Sequence, residues 1–90
     1  MEFEYDPAKS ASNKDEHGID FEEAQQIWSD QFRLEVPTAW VEEERLLAIG
    51  RIDEKIWTAV FVYRSRRIRL ISVRRARTEE VRYYEKNLFE

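Results

Sequence analysis

The chain has 90 residues with three Trp, four Tyr and five Phe, enough apolar mass for one core and too little for two, so residues 1–90 are read as one domain. It contains no cysteine, which excludes disulfides and thiolate metal sites and suits a reducing compartment. The net charge of −4 hides a division: residues 1–50 carry thirteen Asp or Glu against four Lys or Arg, whereas residues 51–90 carry six against eleven.

From the N-terminus, Phe3-Glu4-Tyr5 alternates and reads as a short strand. No basic leader followed by an apolar run is visible, so no targeting segment is expected. Asp6 suits a helix cap and Pro7 the first helical position. Helix-favouring residues run from Ala8 to Glu16, and Gly18 stops the helix after His17. Asp20 and Glu23 have the spacing of a capping box for a second helix. Phe21, Ala24, Ile27 and Trp28 then share one helical face, and the helix ends near Ser29-Asp30.

The pattern next turns to strands. Phe32, Leu34 and Val36 alternate with Arg33 and Glu35 until Pro37 closes the run. Glu42-Glu43-Glu44 reads as a solvated turn and Arg45 to Arg51 as a strand. Ile52-Asp53-Glu54-Lys55 makes a tight hairpin into Ile56–Tyr63, the most apolar strand and the expected centre of the sheet. That run is also too short to span a bilayer. Arg64-Ser65-Arg66 turns into a last strand from Arg67 to Val73, with Ile68 and Leu70 on one face and Arg67, Arg69 and Ile71 on the other. Thr78 is positioned to cap a final helix, with Glu79 and Glu80 in its first turn. The order predicts an α+β fold: an N-terminal strand, two helices, a four-stranded antiparallel meander and a C-terminal helix.

Seven arginines and no acid or lysine lie between Arg64 and Arg77. Forked guanidinium groups on a strand suit phosphate, so this surface is expected to hold a polyanion, RNA above all. The plainer alternative is a solvated basic strand pair that answers the acidic half. Phosphate loops, Cys/His clusters and His-Glu-x-x-His helices are absent from the sequence. Glu42-Glu43-Glu44 reads as an exposed acidic turn rather than a metal site, and no cofactor is expected.

Metal-free RNA cleavage needs negative charge stabilised on the phosphate and a proton moved. Arg69 and Arg74 are placed for the charge, with Arg45 on a neighbouring strand. Tyr83 and Tyr84 offer stacking or a proton, against the alternative of ordinary helix packing. His17 has two readings: an imidazole at a helix C-terminus bonding the last carbonyls, or an acid–base group.

Several segments together resemble a known family. Phe3-Glu4-Tyr5-Asp6-Pro7-x-Lys9, then Asn13, then His17-Gly18-Ile19-x-Phe21-Glu22-Glu23-Ala24 look like the start of BrnT-type toxins. Glu44-Arg45, Ile49-Gly50 and Val60-x-Val62-Tyr63 continue the pattern, and Arg69-x-Ile71-Ser72-x-Arg74-x-Ala76 with Glu80 and Tyr84 closes it. Where the family usually has a basic residue before the His-Gly pair, this chain has Glu16, with Lys14 two residues earlier.

The resemblance implies a small RelE-like fold and a cytoplasmic, metal-independent endoribonuclease that inhibits translation. It also implies a ribbon-helix-helix antitoxin as partner, with a possible heterotetramer, and no membrane association. The resemblance marks His17, Arg45, Arg69, Arg74 and Tyr84 as site candidates; on chemical grounds Arg69, Arg74, His17 and Tyr84 are read as catalytic and Arg45, Arg64, Arg67 and Lys14 as RNA contacts. The alternative is a non-catalytic module that binds RNA or an antitoxin on the same face.

Overall fold

A computed structural model describes residues 2–38 and 45–89. The acidic run Glu42-Glu43-Glu44, expected as a turn, lies outside the described residues. In chain order the elements are β1 (Glu2–Glu4), α1 (Pro7–His17), a 3-10 helix (Glu23–Ser29), β2 (Leu34–Pro37), β3 (Leu46–Ile52), β4 (Lys55–Arg64), β5 (Arg67–Arg75) and α2 (Thr78–Leu88). The strands form one mixed sheet in the order β1-β5-β4-β3-β2. Strands β2 to β5 are the expected antiparallel meander with β4 at its centre, and β1 adds to β5 in parallel. The fold is α+β.

Helix α1 follows its local signals. The Asp6 carboxylate accepts the Ala8 N–H at 2.9 Å, Pro7 opens the helix, and Gly18 ends it at φ 78°. This helix carries few apolar residues and serves as an edge cover. The pairing of β1 with β5 spans only Arg67 to Arg69. Beyond it, the Asn13 side chain takes the place of a strand: its Oδ1 accepts the Val73 N–H at 3.1 Å and its Nδ2 donates to Val73 O at 2.9 Å.

The expected second helix is present as a shorter 3-10 element. Asp20 and Glu23 exchange both bonds of the capping box, Glu23 N to Asp20 Oδ1 at 2.7 Å and Asp20 N to Glu23 Oε1 at 3.0 Å. At the far end Asp30 N donates to Ile27 O, an i to i−3 bond. Pinned at both ends over seven residues, the segment takes the tighter winding. It packs hard on the sheet at Gly50, where an added Cβ would lie 2.9 Å from Ile27 Cγ2.

Two apolar clusters lie on opposite sides of the sheet. The larger joins Phe21, Ala24 and Ile27 to Trp57, Phe61, Ile68, Leu70 and Val73. The smaller places Tyr84 of α2 on Ile49 and Ile56, with Leu34, Val36 and Val81 around it. The α2 helix starts one residue earlier than its sequence suggests. Its N-cap is Arg77, not Thr78, because Glu80 reaches back to accept the Arg77 N–H at 2.8 Å.

The β3–β4 and β4–β5 turns are tight. In the β4–β5 turn Ser65 and Arg66 have φ of 49° and 69°, a left-handed pair that ordinarily takes Asn or Gly. Arg66→Gly is therefore expected to stabilise the protein by about 0.5 kcal/mol, the relief of αL strain less the entropy Gly adds to the unfolded chain. Thermal melting checks this: a rise of roughly 2–4 °C is expected for a domain of this size. An unchanged or lower midpoint would show that Arg66 is unstrained.

Candidate functional site

An uninterrupted strand would put Arg69 and Arg74, five residues apart, on opposite faces of the sheet. The structure differs, because β5 carries a bulge. Leu70 pairs with Phe61 and Ser72 with Val60, so Ile71 is an extra residue without a partner on β4. Alternation resets there. Arg69 pairs with Val62 and Arg74 with Thr58, and both now lie on the face that carries α2. The expectation that Ile68 and Leu70 oppose Arg67 and Arg69 holds, but it does not extend past Ile71.

The α2 helix covers only part of this face, over Ile49, Ile56 and Thr58. The remainder is an open sheet surface with half-buried Leu47, Val60, Val62 and Ser72 on its floor. Arg64, Arg67 and Arg69 stand along it, since Arg64 pairs with Arg67 across the hairpin. Arg45 precedes β3 at the same end of the sheet, and its carbonyl accepts the Thr38 N–H at 3.1 Å. Most of the cationic candidates thus share one surface.

Arg69 and Arg74 share a face but not a point. Their partners on β4 are four residues apart, so the two arginines are separated by about 13 Å along the sheet. Arg69 is half-buried and donates from Nη1 to Glu4 Oε2 at 2.9 Å. Arg67 is exposed and donates from Nε to Glu2 Oε2 at 3.1 Å.

Arg74 is bound more closely. It grips Glu80 with both arms of the guanidinium, Nη1 to Oε1 at 2.7 Å and Nη2 to Oε2 at 3.0 Å. The Thr58 hydroxyl donates to the same carboxylate at 3.0 Å. Burial pushes the Glu80 carboxyl up, but the Arg74 fork, the Arg77 N–H and the Thr58 hydroxyl outweigh it and hold it at about 2. The hydrogen bond to Glu80 raises Arg74 in turn.

The remaining candidates lie apart from the open surface. Tyr84 is 2 % exposed, and its hydroxyl donates to Asp30 Oδ2 at 2.5 Å, tying α2 to the end of the 3-10 helix. Burial and then this bond raise its hydroxyl above the usual tyrosine range. Asp30 also accepts the Phe32 and Arg51 N–H groups. Lys14 is paired with Glu23 at 2.8 Å beside the capping box. His17 is exposed at the end of α1, with Glu16 3.8 Å away, and no hydrogen bond or ion pair joins it to an arginine among the described residues.

Sequence reasoning missed Glu2 and Glu4 as partners of the arginines, and Ser72 as floor between Arg69 and Arg74. Alternation about Phe3 did put both glutamates on one side. Nothing local said that β1 would lie against β5.

Comparison with protein families bears on what such a surface does. Residues 5–80 match the family described as ribonuclease toxin, BrnT, of type II toxin-antitoxin system. No curated protein matches the chain. The match runs from just after β1 to the first turn of α2, and so takes in β5, its bulge and both Arg69 and Arg74. This chain belongs to the BrnT family of ribonuclease toxins of type II toxin–antitoxin systems.

Proposed function

We propose that the open half of the α2-bearing face binds and cuts RNA, that the cut needs no metal ion, and that Arg69 holds the scissile phosphate. The observation that carries this reading is that Arg64, Arg67 and Arg69 stand together on one open surface, to the far end of which the β5 bulge adds Arg74. In this chemistry the RNA 2′-hydroxyl attacks its own phosphorus, and the bond to the 5′-oxygen breaks to leave a 2′,3′-cyclic phosphate. Negative charge grows on the non-bridging oxygens in the transition state. A guanidinium fixed on a strand stabilises that charge without reorganising.

The Arg74 fork is spent on Glu80, so Arg74 acts as a positioning residue that holds the end of β5 against α2. The Tyr84 hydroxyl is likewise spent on Asp30 and anchors α2. His17 and Tyr83 keep exposed side chains, but His17 ends α1, apart from the open surface, so in this reading the 2′-hydroxyl proton passes to solvent and the 5′-oxygen takes one up from it. Arg45, Arg64 and Arg67 supply contacts to the strand on either side of the cut.

Incubation of the purified chain with a fluorophore-quencher RNA in EDTA tests the reading. Cleavage with a cyclic phosphate product is the expected result. Intact RNA in EDTA and cleavage restored by Mg²⁺ would overturn the metal-free mechanism.

The family implies an antitoxin partner. We further read that partner as a ribbon-helix-helix protein joined to the toxin in a cytoplasmic heterotetramer, a mass that light scattering of the co-expressed pair would measure. A second reading makes the arginine surface chiefly an antitoxin dock that cuts no RNA. The carboxylates already on Arg67, Arg69 and Arg74 favour it, because they show that this surface accepts acidic side chains. Growth arrest by the chain expressed alone, relieved by its antitoxin, would count against that alternative.

A further inference from the structure

The shortest strand makes an unexpected contribution to the arginine face. In β1, Phe3 turns inward and meets Trp28 edge-on at 5.2 Å, which leaves Glu2 and Glu4 on the opposite side. Parallel pairing sets Glu2 beside Arg67 and Glu4 beside Arg69, and each pair is joined by a hydrogen bond. Residues two apart on a strand are separated by about 6.6 Å. That is close to one nucleotide step of an extended RNA backbone.

We infer that Glu2 and Glu4 occupy two phosphate subsites, one at Arg67 and one at Arg69, and that consecutive phosphates of one RNA strand lying along β5 displace them. The inference rests on the reading of this face as the RNA surface, and it adds which phosphates bind and what they replace. The strand β1 then serves as a built-in competitor. Its carboxylates keep the guanidinium groups extended over the sheet until RNA arrives, and they lower the affinity for short or weakly charged ligands.

The two pairs differ in strength. Glu2 and Arg67 side chains are 76 % and 55 % exposed, so water and salt screen them and their exchange is easy. Glu4 and Arg69 are 26 % and 33 % exposed, so this pair is the stronger competitor. The strand itself does not depend on either bond. Phe3 holds to Trp28, and Tyr5, just beyond β1, meets Phe21 at 5.6 Å. A neutral side chain at position 4 therefore leaves β1 in place.

The test uses the full chain and a fluorescent 2′-O-methyl RNA oligonucleotide, which lacks the attacking hydroxyl, so anisotropy reads binding without cleavage. Glu4→Gln keeps the size and an acceptor for Arg69 and removes the charge. It is expected to tighten binding about 3–5-fold, and Glu2→Gln about 2-fold or less, the range of a weak ion pair released. Arg69→Ala is expected to weaken binding about 10-fold or more, as for a lost hydrogen bond to a charged group.

If Arg69→Ala weakens binding but Glu4→Gln leaves it unchanged or weaker, Glu4 merely orients Arg69 and the competitor role is overturned while the RNA surface stands. If Arg69→Ala binds like the wild type, RNA lies elsewhere and both ideas fall. Melting curves of the two glutamine variants verify that the sheet is intact.

Discussion

Replacing Arg69 with alanine is expected to lower RNA cleavage about 100- to 1,000-fold, the usual cost of removing one preorganised donor to a developing oxyanion. The same change is expected to abolish growth arrest on expression. Stability should scarcely move, because the Arg69–Glu4 pair lies at the sheet surface and such pairs contribute about 1 kcal/mol or less. That separation of activity from stability is what marks a residue acting on the substrate.

Lysine at position 69 sharpens the test. It keeps the charge but loses the fork, so cleavage is expected to fall about tenfold, between wild type and alanine. Rates would be measured on a quenched RNA reporter, with the melting temperature of each variant alongside. An Arg69→Ala protein that cuts RNA at the wild-type rate would remove Arg69 from the mechanism. One that cuts poorly but also melts far earlier would make Arg69 structural instead.

What the sequence reveals here follows the range of each interaction. Asp6, Pro7 and Gly18 delimit α1 through bonds to neighbours a few residues away, and Asp20 with Glu23 forms a capping box within a single turn. Those signals have fixed spacings and are readable. The strand pairing of β1 with β5 joins residues 65 apart, and no spacing announces it.

The bulge at Ile71 is similarly silent, since a residue added to an apolar strand looks like the alternation it interrupts. Its consequence is large, because it alone brings Arg69 and Arg74 to one face. Tyr84 shows the converse. Four-residue spacing after Glu80 placed it on one helical side with that residue, but only the packed structure shows that the side faces the core and that Asp30, 54 residues away, accepts the hydrogen bond of its hydroxyl.

The bond between Arg74 and Glu80 carries the largest expected effect on stability. Glu80 accepts from Arg74 twice, from Thr58 and from the Arg77 N–H, so one carboxylate joins β4, β5 and α2. Its folded value of about 2 lies below the usual 4.5, so the stabilisation is present above about 4.5 and is lost as pH falls towards 2. The full shift corresponds to ~3 kcal/mol, and screening at the partly open rim of the sheet reduces it to ~1–2 kcal/mol. Glu80→Gln should remove that much of the stability lost between pH 5 and pH 2, as read from urea midpoints across the range.

Arg74→Ala goes further, because it leaves the carboxylate enclosed without its main partner. With the two side chains 23 % and 15 % exposed, breaking the pair is expected to cost about 2–3 kcal/mol, or roughly 10–20 °C in melting temperature. A double-mutant cycle with Glu80→Ala isolates the coupling, which should account for most of that loss. Cleavage by Arg74→Ala, measured well below its melting point, should then fall much less than for Arg69→Ala. The opposite pattern, wild-type melting with cleavage abolished, would make Arg74 a phosphate ligand that exchanges Glu80 for RNA.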